Sequence, residues 1–276
     1  MKLRQLVLLT FLFSSISFSQ TIKLMSFNIR YDTELDGKNS WDNRKDSLVQ
    51  FLINEKPSII GVQEALLNQI EFIVNGMPNY KYIGVGRDDG ATKGEYSAVL
   101  YNSSEFKVDK NSTFWLSETP DTVSVGWDAA LPRVCTYGLF LHTKTSNKLW
   151  VFNTHFDHMG SVARETSAKL IVKKISEINT NDYAAVLMGD LNATPDETPI
   201  QVITSELNDG LKISVESITD SIGTFNGFSE TIEPRRIDYI FSNMMNVLSY
   251  NHIYKRINGG GFLSDHYPVT ATIKLD

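Results

Sequence analysis

Polar and apolar positions along the chain fall into short blocks, and most apolar blocks have the length of a strand. Runs at Thr21–Ile29, Ser58–Gln63, Tyr80–Val85, Ser97–Tyr101, Cys135–Thr143, Leu149–Asn153, Ala184–Met188, Ile237–Phe241, Val247–Tyr254 and Val269–Leu275 read as strands. Helical spacing appears between some of them. Leu48, Phe51 and Leu52 share a face within Ser47–Asn54. Leu66, Ile70, Ile73 and Val74 do so within Ala65–Val74, and Leu170, Ile171, Ile175 and Ile178 within Ala163–Ile178. Pro195 precedes a short helical stretch, Glu197–Thr204. Helices alternate with strands in the first and middle thirds, and hairpin-like runs fill the rest. This pattern predicts a layered α/β domain with mixed sheets.

Five of the apolar runs are interrupted by, or end in, polar segments of unusual composition. These are Phe27-Asn28-Ile29-Arg30, Val62-Gln63-Glu64, Asn153-Thr154-His155-Phe156-Asp157-His158, Gly189-Asp190-Leu191-Asn192 and Ser264-Asp265-His266-Tyr267-Pro268-Val269. Desolvating carboxylates, amides and imidazoles without partners costs several kcal/mol. Five such ends therefore suggest a place where strand termini converge. Hard oxygen donors with histidines suit a magnesium-type ion and phosphate-ester chemistry.

Composition bounds the rest. The chain has 276 residues, 42% hydrophobic and 21% charged, which fits one large domain. Residues 1–19 are expected to lie outside it. Lys2 and Arg4 form a basic start, Leu6 to Phe13 an apolar core, and Ser17 and Ser19 the small residues of a cleavage site before Gln20. This is the pattern of a secretory signal peptide, so residues 20–276 form the expected exported domain, periplasmic or extracellular. No apolar stretch reaches the roughly 20 residues of a membrane span. Cys135 is the only cysteine, so an internal disulfide is excluded and the core must hold the fold. Loss of Lys2 and Arg4 from the 26 basic residues leaves 24 against 32 acidic ones, a formal charge of −8. No run of Lys and Arg forms a basic stripe, so a long nucleic-acid track is disfavoured, although a local cleft or bound cation could still serve a nuclease.

Taken singly, each polar segment has an ordinary explanation. Gly189-Asp190-Leu191-Asn192 follows a buried-strand run, and alternation puts Asp190 and Asn192 on one side, yet Gly, Asp and Asn also make turns. Glu64 opens a helix, where an acid is stabilised anyway. Asn28 and Arg30 share one side of a strand end, where an amide can cap an edge. One of His155, Asp157 and His158 is expected to start the following helix. Asp238 sits inside the apolar run Ile237–Phe241 and needs a partner, for which a histidine N–H is suitable.

Together the segments resemble the endonuclease/exonuclease/phosphatase superfamily, which includes DNase I-like nucleases, deadenylases and inositol-polyphosphate 5-phosphatases. The resemblance spans residues 21–276 with the motifs in order. Trp41-Asp42-Asn43-Arg44, Gly94-Glu95-Tyr96-Ser97, Phe114-Trp115-Leu116-Ser117 and Trp127-Asp128-Ala129-Ala130-Leu131-Pro132-Arg133 are similar to a secreted bacterial branch. The resemblance implies a four-layer α/β/β/α sandwich with its site at the mouth between two sheets. It implies a Mg²⁺ site, also open to Mn²⁺, at Asn28 and Glu64 with Asp265 beside them. Asp190 and Asn192 would orient the attacking water, Asp238 would orient His266, and His155 would be a second histidine. Arg133 would contact the phosphate. Arg30, Glu95 and Tyr96, with Trp41, Arg44 and Trp127 nearby, are expected at a closed pocket for a compact substrate. The implied activity is metal-assisted hydrolysis of a phosphate mono- or diester by water, by a monomer. A small, sugar-linked or lipid-linked ester is favoured over nucleic acid; a secreted nuclease and an inactive binding module are the alternatives.

Overall fold

The computed structural model describes residues 20–219, 223–231, 234–257 and 260–275. The expected signal segment, residues 1–19, lies outside the described residues. Two mixed sheets stack face to face, and helices cover both outer faces.

The first sheet contains β1 (Gln20–Asn28), β2 (Ile59–Gln63), β3 (Tyr80–Ile83), β4 (Val99–Asn102), β10 (Glu216–Ile218), β12 (Asn246–His252) and β13 (Val269–Leu275). Their order is β10-β12-β13-β1-β2-β4-β3. The second contains β5 (Phe106–Trp115), β6 (Val134–His142), β7 (Lys148–His155), β8 (Ala184–Asp190), β9 (Asn208–Asp209) and β11 (Asp238–Ser242), in the order β5-β6-β7-β8-β11-β9. Helices α1 (Trp41–Glu55) and α2 (Leu67–Gly76) cover the first sheet. Helices α3 (Ser161–Ile178) and α4 (Thr198–Thr204) cover the second, and α5 (Gly210–Ile213) is a single turn.

The period-two pattern of the strands explains the layers. Ile22 and Leu24 of β1 point into the core between the sheets, with Val186 and Met188 of β8. Met25 and Phe27 of β1 face α1 with Leu48, Phe51 and Leu52. Ala185 and Leu187 of β8 face α3 with Ala168, Ile171 and Ile175. Each central strand is buried on both faces, which is why its sequence reads as a continuous apolar run.

Two parallel pairs lie at the heart of the molecule, β1–β2 and β7–β8. Asn28 pairs with Gln63 at the end of one, and His155 with Asp190 at the end of the other. Antiparallel β11 sets Asp238 opposite Asp190. Beneath these ends the sheets are joined by polar groups. Asn153 on β7 donates through Nδ2 to the carbonyls of Val62 and Ala98, and its Oδ1 accepts from Gln63 Nε2 at 2.7 Å.

The long strand β5 has no counterpart among the runs expected from the sequence. It is an edge strand whose middle, Lys107 to Ser112, is largely exposed and polar and carries a register shift between Val108 and Lys110. An edge needs such polarity to resist further pairing, and that polarity hides the strand from a hydrophobicity pattern.

Candidate active site

Loops leaving the parallel pairs and the β12–β13 connection enclose a pocket of about 490 Å³. Among its lining residues are Arg30, Glu64, Glu95, Arg133, His155, Asp190, Asn192, Asp265 and His266. Three of these, Arg30, Glu64 and Asn192, adopt left-handed backbone with φ between 46° and 58°. Non-glycine residues rarely sit there, and such strain persists at functional sites where the surroundings enforce it.

His266 and Asp238 form the centre. His266 Nδ1 lies 2.9 Å from Asp238 Oδ2, and both side chains are buried. The other ring nitrogen, Nε2, is 3.7 Å from Asp190 Oδ2. Burial opposes charge on His266, but the Asp238 and Asp190 carboxylates outweigh it and push the imidazole up to about 10. Asp190 is moved up to about 6, first by burial and then by Asp238. Protons are thus shared over a coupled carboxylate–imidazole–carboxylate row.

Asn28 is buried under this row. Its Nδ2 lies 3.0 Å from Glu64 Oε1 and 3.0 Å from Asp190 Oδ2, and its Oδ1 accepts from the Arg30 N–H. Glu64 is raised by burial and by the neighbouring Asp265 carboxylate, with Asn28 opposing. Arg30 is 3.7 Å from Glu64 and 3.9 Å from Asp265, and a bidentate pair with Asp36 holds it there. Buried like-charged oxygens facing one pocket call for a cation, and hard oxygen donors suit a divalent one. Glu64 and Asp265 supply those oxygens at the pocket wall. Asn28 instead uses its amide to hold Glu64 and Asp190. A second potential group is Asp190, Asp238 and His266, each with a ligand atom within 4.8 Å of the others. The 2.9 Å contact already engages His266 Nδ1, so that trio reads first as a hydrogen-bonded row.

Opposite lies a basic wall. Arg133 is buried, donates through Nε to Asp157 (3.3 Å) and through Nη2 to His158 Nδ1 (3.0 Å), and has no partner for Nη1 among the described residues. His155 Nε2 accepts from Asn192 Nδ2 at 3.0 Å and lies 3.4 Å from Asp190. Burial, with Arg133 and Arg87 nearby, lowers the His155 imidazole well below its usual range, so it is neutral. Asp157 accepts from the Met159 and Gly160 N–H groups in the turn before α3. The first-turn N–H groups of α3, those of Val162 and Ala163, donate to Asp128, so the helix is started by Asp128 rather than by one of the three polar residues after β7.

Several expectations about the rim are corrected. Tyr96 is buried, bonds the Ala91 carbonyl, and does not line the pocket. Trp41, the first residue of α1, packs in the core, and Trp127 does not reach the pocket. Arg44 is buried beneath the site and donates to the carbonyls of Ile29, Arg30, Asn39 and Leu263. Of the rim residues expected, Arg30 and Glu95 do line the pocket. Tyr31, Leu131, His158, Phe225, Arg235 and Ile237 also line it. His158 was visible as one of three polar residues after β7, and Arg235 stands just before β11.

Paired sheets that bring an acid–histidine pair and clustered carboxylates to one pocket define a phosphoester-hydrolase type of architecture. The chain belongs to the endonuclease/exonuclease/phosphatase family, whose profile matches residues 25–266. Enzymes of this family hydrolyse phosphoester bonds and depend on divalent metals. A family structure from Bacteroides vulgatus is 37% identical, covers 93% of this chain and 100% of its own, and superposes with a TM-score of 0.88. A mannosyl-6-phosphatase of Bacteroides thetaiotaomicron is 34% identical over 91% of this chain and 99% of its own, with a TM-score of 0.87. A probable RNA exonuclease of Saccharomyces cerevisiae is 27% identical over 211 residues, which is 67% of this chain but 40% of the yeast protein. Among the described residues no helix is long and apolar enough to cross a membrane.

Proposed function

We propose that this protein is an exported, Mg²⁺-dependent phosphoesterase that hydrolyses a compact phosphate ester by in-line attack of water. The observation that carries the reading is the row Asp238–His266–Asp190 at the wall of a 490 Å³ pocket whose other side presents Arg133. The 34% likeness to a mannosyl-6-phosphatase supports a sugar-linked or otherwise small monoester. The acidic charge and the limited pocket support the same choice over a long polymer. Mn²⁺ is an expected substitute, a monomer the expected state, and residues 1–19 the expected cleaved signal.

Uncatalysed phosphate-monoester hydrolysis is so slow that up to about 20 powers of ten have to be supplied. Glu64 and Asp265, with Asn28 fixing Glu64, are the residues that would hold the divalent ion, which when bound neutralises phosphoryl charge and assists the leaving oxygen. Asn192 and Asp190 orient the water. The Asp190–His266 pair takes its proton, and Asp238 fixes the ring so that Nε2 faces the reaction. Arg133 Nη1 offers an unspent donor to the phosphoryl oxygens, and Arg30 adds positive charge on the acidic side.

The test is a substrate panel with purified protein and Mg²⁺ or Mn²⁺: hexose phosphates, lipid phosphates, p-nitrophenyl phosphate, bis-p-nitrophenyl phosphate, plasmid DNA and RNA. Turnover of a small phosphate ester well above nucleic acid is expected. Rapid cleavage of DNA or RNA at trace enzyme would favour the nuclease reading, which the likeness to a yeast RNA exonuclease keeps in view.

A further inference from the structure

Behind the basic wall lies a second, much smaller chamber of about 10 Å³, lined by Arg87, Glu95, Tyr96, Ser97, Arg133, Val134 and His155. Three lining residues each carry a buried nitrogen without a partner among the described residues: Arg87 Nε, Arg133 Nη1 and His155 Nδ1. All three side chains are more than nine-tenths buried. Asp88 Oδ1 lies 3.8 Å from Arg87 Nε, too far for a hydrogen bond.

The hydrogen state of His155 follows from its neighbours. Asn192 Nδ2 donates to the Phe156 carbonyl at 3.0 Å, and a carbonyl can only accept. The same Nδ2 faces His155 Nε2 at 3.0 Å, so Nε2 must accept. A neutral imidazole accepting at Nε2 carries its proton on Nδ1. The residues lining the chamber therefore carry three unpartnered donor nitrogens, two from guanidiniums and one from an imidazole. Its acceptor is Glu95, whose two oxygens take Arg87 Nη1 and Nη2 at 2.7 and 2.8 Å and have lone pairs to spare. A chamber of this volume holds about one water, which makes two to four hydrogen bonds to otherwise unsatisfied groups. A halide would be larger than the chamber and would face the Glu95 carboxylate.

We propose that one buried water occupies this chamber, accepting from Arg87 Nε–H and His155 Nδ1–H and donating to Glu95, and that it makes Arg87 and Glu95 positioning residues for His155. The chain Phe156 carbonyl, Asn192, His155, water, Glu95 holds His155 as the Nδ1–H tautomer. Its Nε2 lone pair then points at Asn192 and the Asp190 side of the pocket. The proposal's effect on rate rests on the phosphoesterase reading; its structural content does not.

The experiment is ¹⁵N NMR of the histidine rings in the full chain at neutral pH, with His155 assigned among the five histidines by His155→Gln. The expected result is a protonated Nδ1 and an unprotonated Nε2 for His155. In Arg87→Lys, which keeps the charge but loses the Nε donor and the bidentate hold on Glu95, the His155 signals should move toward a tautomer mixture. Its kcat should fall by about tenfold with a smaller change in KM, as for other groups that orient a site from behind. A crystal structure at high resolution should show one water between Arg87 Nε, His155 Nδ1 and Glu95. An Nε2–H tautomer in the unmodified chain would overturn the proposal, as would a halide or a side chain in the chamber. So would an Arg87→Lys protein with a lower melting temperature but unchanged His155 signals and kcat, since that marks a merely structural arginine. If no substrate is found, the NMR and crystallographic outcomes still decide the matter.

Discussion

At the residue scale, the site is built from side chains that each do one ordinary thing. Asp238 holds a ring, Asn28 holds two carboxylates, and Arg133 keeps one donor unspent. Asp238→Asn removes the carboxylate that fixes His266, and kcat should fall by roughly 10²–10⁴ with little change in KM, the usual worth of a positioned acid–base group. Arg133→Met should mainly raise KM and weaken competitive inhibition by inorganic phosphate, because the lost group contacts an anion. Asp157 permits a pH prediction. Burial pushes its carboxyl up, but the Gly160, Met159 and Ala130 N–H groups and Arg133 pull it down further, to about 2. A depressed folded-state value contributes stability above the ordinary carboxylate range and loses it as pH falls toward 2. Asp157→Asn should therefore melt lower than wild type at pH 7, and the difference should shrink between about pH 4 and pH 2. A gap that stays constant to pH 2 would contradict this reading.

At the scale of elements, legibility in the sequence followed burial. The double-sided strands β1, β2, β7 and β8 are continuous apolar runs, so their ends, and the polar groups at those ends, could be located within a residue or two. Polar, exposed β5 and two- or three-residue strands such as β9 have no such pattern. The candidate carboxylates and histidines could be seen because each interrupts a strand. The rim could not, because whether aromatic and charged residues such as Tyr96, Trp41 and Arg44 face the pocket or the core depends on how their elements pack. Arg44 shows this well. A buried arginine facing four backbone carbonyls, its guanidinium lowered to about 10 by desolvation, carries the same letter in the sequence as one lining a pocket. The polar bolt between the sheets gives a prediction at this scale. A Cβ on Gly61 would stand 2.6 Å from Asn153 Oδ1 and 2.7 Å from Met188 Sδ. Gly61→Ala should destabilise the fold by about 1–3 kcal/mol in urea unfolding, with the m-value unchanged. An alanine protein as stable as wild type would show that the sheets separate more easily than this contact implies.

At the scale of the whole molecule, stability and activity pull against each other around Glu64. Burial and Asp265 raise its carboxyl, so at neutral pH its charge costs the folded state stability that a neutral side chain would not. Glu64→Gln should raise the melting temperature of the metal-free protein while abolishing turnover, a trade expected of functional sites. Mg²⁺ should raise the melting temperature of wild type by mass action, by about 2.7 kcal/mol of stability at a hundred times its Kd, and should do little for Glu64→Gln. Equal Mg²⁺ shifts in both proteins would place the ion elsewhere.

The central claim is that this pocket hydrolyses a compact phosphate ester with His266, Asp190 and Glu64. The most direct measurement is inorganic phosphate release from a set of hexose phosphates, with Mg²⁺ and then with EDTA, by wild type, Glu64→Ala and His266→Ala. Metal-dependent release by wild type alone, lost in both variants while their folds persist, is the predicted result. Release that survives in His266→Ala, or the absence of release from every ester alongside efficient degradation of RNA or DNA, would contradict the account.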